Sequence, residues 1–157
     1  MKQKVLLSLL FLSFSQVSFA QKNQPQPKIV VGIVIDQMCY DYLYRFGHLY
    51  TTGGFNRLLT KGTNCRNTQY NYVPTYTAPG HASIYTGTTP SNHGIVGNEW
   101  YVRDTKKTVT SVSDERYKTV GSASGGQAAP MNLLTYTITD QLKMASPQSK
   151  VISLSIK

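Results

Sequence analysis

Acidic residues are scarce in this chain. Its 157 residues hold seven Asp and Glu against sixteen Lys and Arg. Such an excess suits anionic ligands or surfaces. The basic residues are scattered, however, and the nearest thing to a run, Arg103-Asp104-Thr105-Lys106-Lys107, is what a charged hairpin turn looks like. Nucleic acid is therefore not expected as a partner. Cysteine is limited to Cys39 and Cys65, which lack the spacing of a metal knuckle. In an exported protein they could form a disulfide, and two free or buried thiols fit equally well. Long apolar runs are missing apart from one, Val5 to Phe14, broken only by single serines. It is too short to span a bilayer comfortably. A basic start, Met1-Lys2-Gln3-Lys4, precedes it, and Ser18-Phe19-Ala20 before Gln21 fits a small-x-small cleavage site. Residues 1–20 thus read as a secretory signal peptide, cleaved near Ala20-Gln21 and sending the chain to the periplasm or outside the cell. No Cys follows the cleavage site, which argues against a lipid anchor, and stable membrane insertion is not expected. Losing Lys2 and Lys4 takes the formal charge from +9 to +7.

What is present has the rhythm of an α/β domain. Residues 21–27 are polar and Pro-containing and read as a flexible lead-in. Lys28 to Ile35 is a continuous β-branched run ending at Asp36. A run without alternation is the pattern of a strand buried on both faces, hence of a parallel sheet. Tyr40–Phe46 reads as a short helix, and Phe55–Lys61 as another, closed by Gly62. Cys65–Tyr72 reads as a second strand. Pro79–Tyr85 reads as a helix closed by Gly87. Thr89–Gly94 is turn-rich. Glu99–Val102 and Thr108–Val112 read as strands joined by the charged turn. Residues 121–129 read as an exposed loop. A helix is expected from Pro130, with Leu133, Leu134, Ile138, Leu142 and Met144 on its apolar face, ended by Ser146-Pro147. Val151–Ile156 reads as a last buried strand.

Alternating apolar strands and helices imply an α/β fold with a mostly parallel sheet. In such sheets functional groups collect at the carboxyl ends of the strands. Asp36, Thr77 and Lys157 would share that edge. A strand just out of its crossover helix should lead into another loop, so a chain ending at Lys157 reads as a fragment.

Thr77 is the centre of the pattern. A hydroxyl residue shortly before Pro79 is a helix-start signal, which puts Thr77 or Ala78 near the N-cap. The first amides of a helix lack internal partners and attract anions. Two readings stay open at this point: Thr77 as a simple cap, or as an activated hydroxyl at an anion site. Asp36 is equally open between a helix cap and a metal carboxylate.

Three ordered motifs carry a resemblance. Val34-Ile35-Asp36-Gln37-Met38, Asn71 to His81, and Pro90-x-x-His93-Gly94-Ile95-Val96-Gly97-Asn98 resemble the alkaline phosphatase superfamily. They are most similar to its phosphate-irrepressible periplasmic phosphatases with a Thr nucleophile. The likeness runs from about Lys28 to Lys157. It implies the N-terminal portion of a three-layer α/β/α domain that hydrolyses small-molecule phosphate monoesters through a phosphothreonine intermediate at two zinc ions. By that resemblance Asp36 is a zinc ligand and Thr77 is the nucleophile, its oxygen also contacting zinc. Asn98 holds a phosphoryl oxygen. Lys157 is the Lys of a phosphate-binding Lys-x-Arg pair whose Arg would lie two residues on. His81 and His93 match no metal ligand and read as structural hydrogen bonders. Cys39 stands where the family suggests a basic residue.

The chemistry agrees. A Thr hydroxyl is a weak nucleophile that needs a base or metal, and phosphoryl transfer needs donors on the equatorial oxygens. Two zinc ions require about six to eight protein ligands, and this chain offers only Asp36 and Thr77 in matching positions, so turnover by the chain alone is not expected. Other readings are a phosphodiesterase or phosphonate hydrolase of the same superfamily, or a secreted anion-binding module without catalysis. A sulfatase is disfavoured, because Thr77-Ala78-Pro79-Gly80 does not fit a formylglycine motif.

Overall fold

The computed structural model describes residues 27–122 and 126–155. Residues 1–20, read as a signal peptide, most of the lead-in and Lys157 lie outside the described residues. The chain divides into two units, residues 1–33 and 34–157. Of the first, residues 27–33 are described and run without helix or ladder, with Ile29, Val30 and Ile33 exposed.

The second unit opens with Asp36 in a tight turn, where Gln37 adopts φ 59°. Helix α1, Tyr42–Arg45, follows, with the Asp41–Arg45 ion pair along one side at 2.8 Å. Around Leu43 the segment is aromatic, and Tyr40 meets Tyr44 edge-on and Tyr42 meets Phe46 at a tilt, at the one-turn spacing of helical neighbours. A 3₁₀ turn, Gly47–Leu49, leads to α2, Gly54–Lys61. Gly62 ends α2 with an extended backbone rather than the left-handed stop read from the sequence. Glycine is needed there because a Cβ would lie 2.6 Å from the Leu58 carbonyl oxygen.

Helix α3, Thr77–Thr86, ends at Gly87 with φ 67°, a left-handed position that suits glycine. Helix α4, Pro90–His93, starts with proline at N1 and ends at Gly94. Strands β1, Glu99–Val102, and β2, Lys107–Thr110, pair antiparallel, with Trp100 opposite Val109. Trp100, Val102 and Val109 are half-buried while their neighbours are exposed, the alternation of a one-faced hairpin. Ser111 N donates to Asn98 O at 2.9 Å and extends this ladder by one bond. Helix α5, Ile138–Ala145, closes the set, and α3 packs against both α4 and α5.

Two expectations differ from the structure. Lys28–Ile35, Cys65–Tyr72 and residues 151–155 form no ladder; among the described residues the single sheet is the β1–β2 hairpin. Ile152 and Leu154 are exposed, as are Ile29, Val30, Val31, Ile33 and Ile35. A β-branched run records a preference for a pleated, covered environment, but the strand itself exists only where neighbours supply ladder bonds. The helix expected from Pro130 is also split. A 3₁₀ turn, Pro130–Asn132, gives way to extended chain before α5. Two features cause the break. Leu134 N donates to His93 O at 3.0 Å. Thr137 and Asp140 then form a capping box, Asp140 accepting from Thr137 N at 2.7 Å and Thr137 Oγ1 accepting from Asp140 N at 3.3 Å. The box holds the Asp140 carboxyl below its ordinary range, first through the Thr137 backbone bond and then through its hydroxyl.

Burial is confined to a small cluster. Pro79, Ser83, His93, Ile95, Gly97 and Ala129 are the buried positions among the described residues. All but Ala129 lie in or beside the segments that carry Thr77 and Asn98.

Candidate active site

Thr77 is the first residue of α3, one position inside the cap. Tyr76 is the N-cap, and its side chain makes no capping bond. The hydroxyl of Thr77 therefore does not cap the helix. It donates instead to Asp36 Oδ2 at 3.3 Å, across 41 residues of sequence. The capping reading of Thr77 is corrected here: as a cap its oxygen would have to reach the amide of Pro79 or Gly80, and Pro79 has none while Gly80 N already donates to Tyr76 O at 2.9 Å.

The helix start also offers fewer amides than a generic one. Ala78 N is already engaged, donating to Asn98 Oδ1 at 2.8 Å. That bond fixes which end of the Asn98 side chain is oxygen. Its NH₂ group faces away from Ala78 and is the donor end. Asn98 sits immediately before β1, and its own carbonyl is held by Ser111, so the hairpin sets its place. The structure thus brings three of the four residues read from the sequence into one cluster: Asp36, Thr77 and, through Ala78, Asn98. Asp36 and Asn98 are exposed and Thr77 is half-buried, so the cluster opens to solvent.

The histidines take separate roles. His81 Nδ1 donates to the Thr77 carbonyl at 2.8 Å, one helical turn back. His93 is fully buried, and burial pushes its imidazole below the ordinary range, toward the neutral form. His48 is exposed in the 3₁₀ turn after α1. Cys39 and Cys65 are free and exposed. Sequence reasoning missed Tyr72 and Ser83, whose hydroxyls join His93 along α3. The only sequence signal for them was the unusual burial of polar positions that α3 demands, which the alternation of residue types does not show.

A cleft of about 490 Å³ runs between the Thr68–Tyr72 segment and the far half of α3, lined by Tyr70, Tyr72, Ser83, Ile84 and Thr88 among others. It contains none of Asp36, Thr77 or Asn98, so it is not where the cluster's chemistry sits. Among the described residues no three His, Cys, Asp or Glu side chains gather around a common point. Asp36 and Thr77 bring two side-chain oxygens within 3.3 Å of each other. No helix among the described residues is long and apolar enough to cross a membrane.

Comparison with known proteins places these features. Residues 30–146 match the family described as Type I phosphodiesterase / nucleotide pyrophosphatase. The chain is 48% identical over 171 aligned positions to Alkaline phosphatase PhoV of Synechococcus elongatus, covering 100% of this chain and 31% of that protein. It is 50% identical over 143 positions to Alkaline phosphatase PafA of Elizabethkingia meningoseptica, covering 88% of this chain and 26% of that protein. The crystal structure of wild-type PafA superposes with a TM-score of 0.83 at 49% identity, over 87% of this chain and 27% of that one. The fold is thus alkaline-phosphatase-like α/β, in part. The chain spans roughly a quarter to a third of the length of these relatives.

Proposed function

The chain belongs to the type I phosphodiesterase / nucleotide pyrophosphatase family, within the alkaline phosphatase superfamily, and on that premise we propose that the full-length protein hydrolyses small-molecule phosphate monoesters with Thr77 as nucleophile. The observation that carries this is the Thr77 hydroxyl pointing at Asp36 Oδ2 while Asn98 is locked on the next residue of the same helix. Thr77 Oγ1 forms the bond to phosphorus as the ester oxygen departs, and water then releases phosphate from the phosphothreonine. Asn98 presents its NH₂ group to a phosphoryl oxygen, and Lys157, with an arginine two residues on, completes the cradle. A second PafA structure carries substitutions at one threonine, one asparagine, one lysine and one arginine, the four residue types of this cradle.

We assign Asp36 and the Thr77 oxygen as ligands toward two zinc ions. Bound zinc would activate the hydroxyl and stabilise the leaving oxygen. No three His, Cys, Asp or Glu side chains gather among the described residues and the chain covers 26% and 31% of two relatives, so we infer that residues 28–157 are the N-terminal portion of a larger catalytic domain and do not turn over alone. We infer that residues 1–20 serve as a signal peptide to the periplasm or exterior, ahead of a lead-in over 21–27.

The test is Thr77→Ala in the full-length protein. Monoester hydrolysis should fall on the order of 10⁴–10⁶-fold, as for removal of other covalent nucleophiles. Unchanged turnover would defeat the assignment, and intact ligand binding without any wild-type turnover would favour the anion-binding module. A second reading is favoured by the family description itself and by 39% identity over 61 residues to Ectonucleotide pyrophosphatase/phosphodiesterase family member 1 of Rattus norvegicus. Comparing kcat/KM for a monoester and a diester with the same leaving group separates the two.

A further inference from the structure

Two polar side chains, Ser83 and His93, lie in the best-buried part of the described chain, and their protons can be placed. His93, with no exposed surface, accepts Ile95 N at Nδ1 over 3.1 Å. Its ring proton is then on Nε2, which faces Ser83 Oγ at 3.0 Å. Ser83 gives its single proton to Tyr72 Oη at 2.8 Å. Tyr72 gives its proton to the Pro79 carbonyl at 3.1 Å. The donors run in one direction from α4 through α3 to the segment before it and back to α3. Reversing any member would leave a buried group without a partner, and no buried side-chain polar atom among the described residues lacks one.

The chain of donors ends on the first turn of α3. Asn98 holds Ala78 by its amide, and Tyr72 holds Pro79 by its carbonyl. The two residues after Thr77 are thus each gripped by a side chain from outside the helix. Apolar residues would fill so small a core more cheaply, because buried hydroxyl and imidazole groups are costly unless fully satisfied. What a one-way polar network adds is a fixed rotation of the helix about its axis.

We propose that His93, Ser83 and Tyr72 form a positioning network that sets the rotation of α3 and thereby places the Thr77 hydroxyl. None of the three touches Asp36 or Thr77 in the structure, so they act through the helix. This rests on Thr77 being the nucleophile.

The experiment uses the full-length protein with Tyr72→Phe, Ser83→Ala, their double variant, His93→Gln and His93→Leu. Each single break should lower kcat about 10- to 100-fold, the upper figure matching a nucleophile misplaced by ~1 Å. KM should stay within about twofold, since binding groups are untouched. The double variant should lose no more than the worse single, as expected for one chain broken twice. His93→Gln, whose amide can still donate to Ser83, should lose less than His93→Leu. Nitrogen-15 NMR of labelled histidine should show His93 neutral with its proton on Nε2. Folded variants with wild-type kcat, additive losses, or a proton on Nδ1 would overturn the network. If Thr77→Ala leaves turnover intact, the nucleophile reading fails by itself, while the NMR result still judges the network.

Discussion

Two regions of this chain obey different rules. The stretch from Asn71 to Asn98 is held by bonds it makes with itself: Asn98 to Ala78, Tyr72 to Pro79, His81 to Thr77, Ser83 to His93. The β-branched runs Ile29–Ile35 and Val151–Leu154 are as clearly written in sequence, yet they carry no ladder and expose their side chains. Local motifs hold Thr77 and Asn98 in place from within their own stretch, and Asp36 joins them from 41 residues away. A sheet strand borrows its stability from neighbours, and its sequence states a need rather than a structure.

The comparison breaks most sharply if the self-held region could work without the rest. Residues 21–157 alone should show no zinc-dependent hydrolysis of a chromogenic phosphate monoester, and measurable turnover would contradict the ligand shortfall. Asn98→Asp in the full-length protein sharpens the site itself. It keeps the acceptor for Ala78 N but replaces the donor end with a carboxylate oxygen. kcat should fall by about 10²–10³-fold or more, the scale for one lost donor to a developing charge. A loss of less than about tenfold would mean that Asn98 serves α3 more than the phosphoryl group.

Stability variants probe the same contrast at smaller scale. Gly94 has φ 80°, and a Cβ there would lie 2.7 Å from Leu134 Cγ. Gly94→Ala should cost on the order of 1–3 kcal/mol by denaturant unfolding, since it adds left-handed strain to a clash. A neutral effect would mean that the α4 end repacks freely. Smaller still is the acid response of His93. Its pKa is lowered from 6.5 by burial. The unfolded chain therefore takes up the proton first, so stability falls as pH drops below about 6.5 and keeps falling to the lowered native value. His93→Gln should flatten that part of the stability–pH curve, which pH-dependent melting would record.

Much of the site could be read from the sequence because its residues sit in short ordered motifs: Asp36 at the end of an apolar run, Thr77 before Pro79, Asn98 before Glu99. The hairpin was legible from alternation and its charged turn. What escaped notice depended on three-dimensional competition. The Pro130 helix looked continuous by period, but Leu134 is drawn to His93 and the Thr137–Asp140 box restarts the helix. Thr77 looked like a cap, but the cap is Tyr76, and the hydroxyl turns to Asp36, a partner 41 residues away. The roles of Tyr72 and Ser83 could not be read, because a buried hydroxyl network has no periodicity.

The central claim is that Thr77 carries the phosphoryl group during turnover. The direct measurement is to quench the full-length protein with acid while it turns over a phosphate monoester, then locate any covalent phosphate by peptide mass spectrometry. Phosphate on Thr77, absent without substrate, is the predicted result. Phosphate on another residue, or steady turnover with Thr77 never modified under any quench, would contradict it.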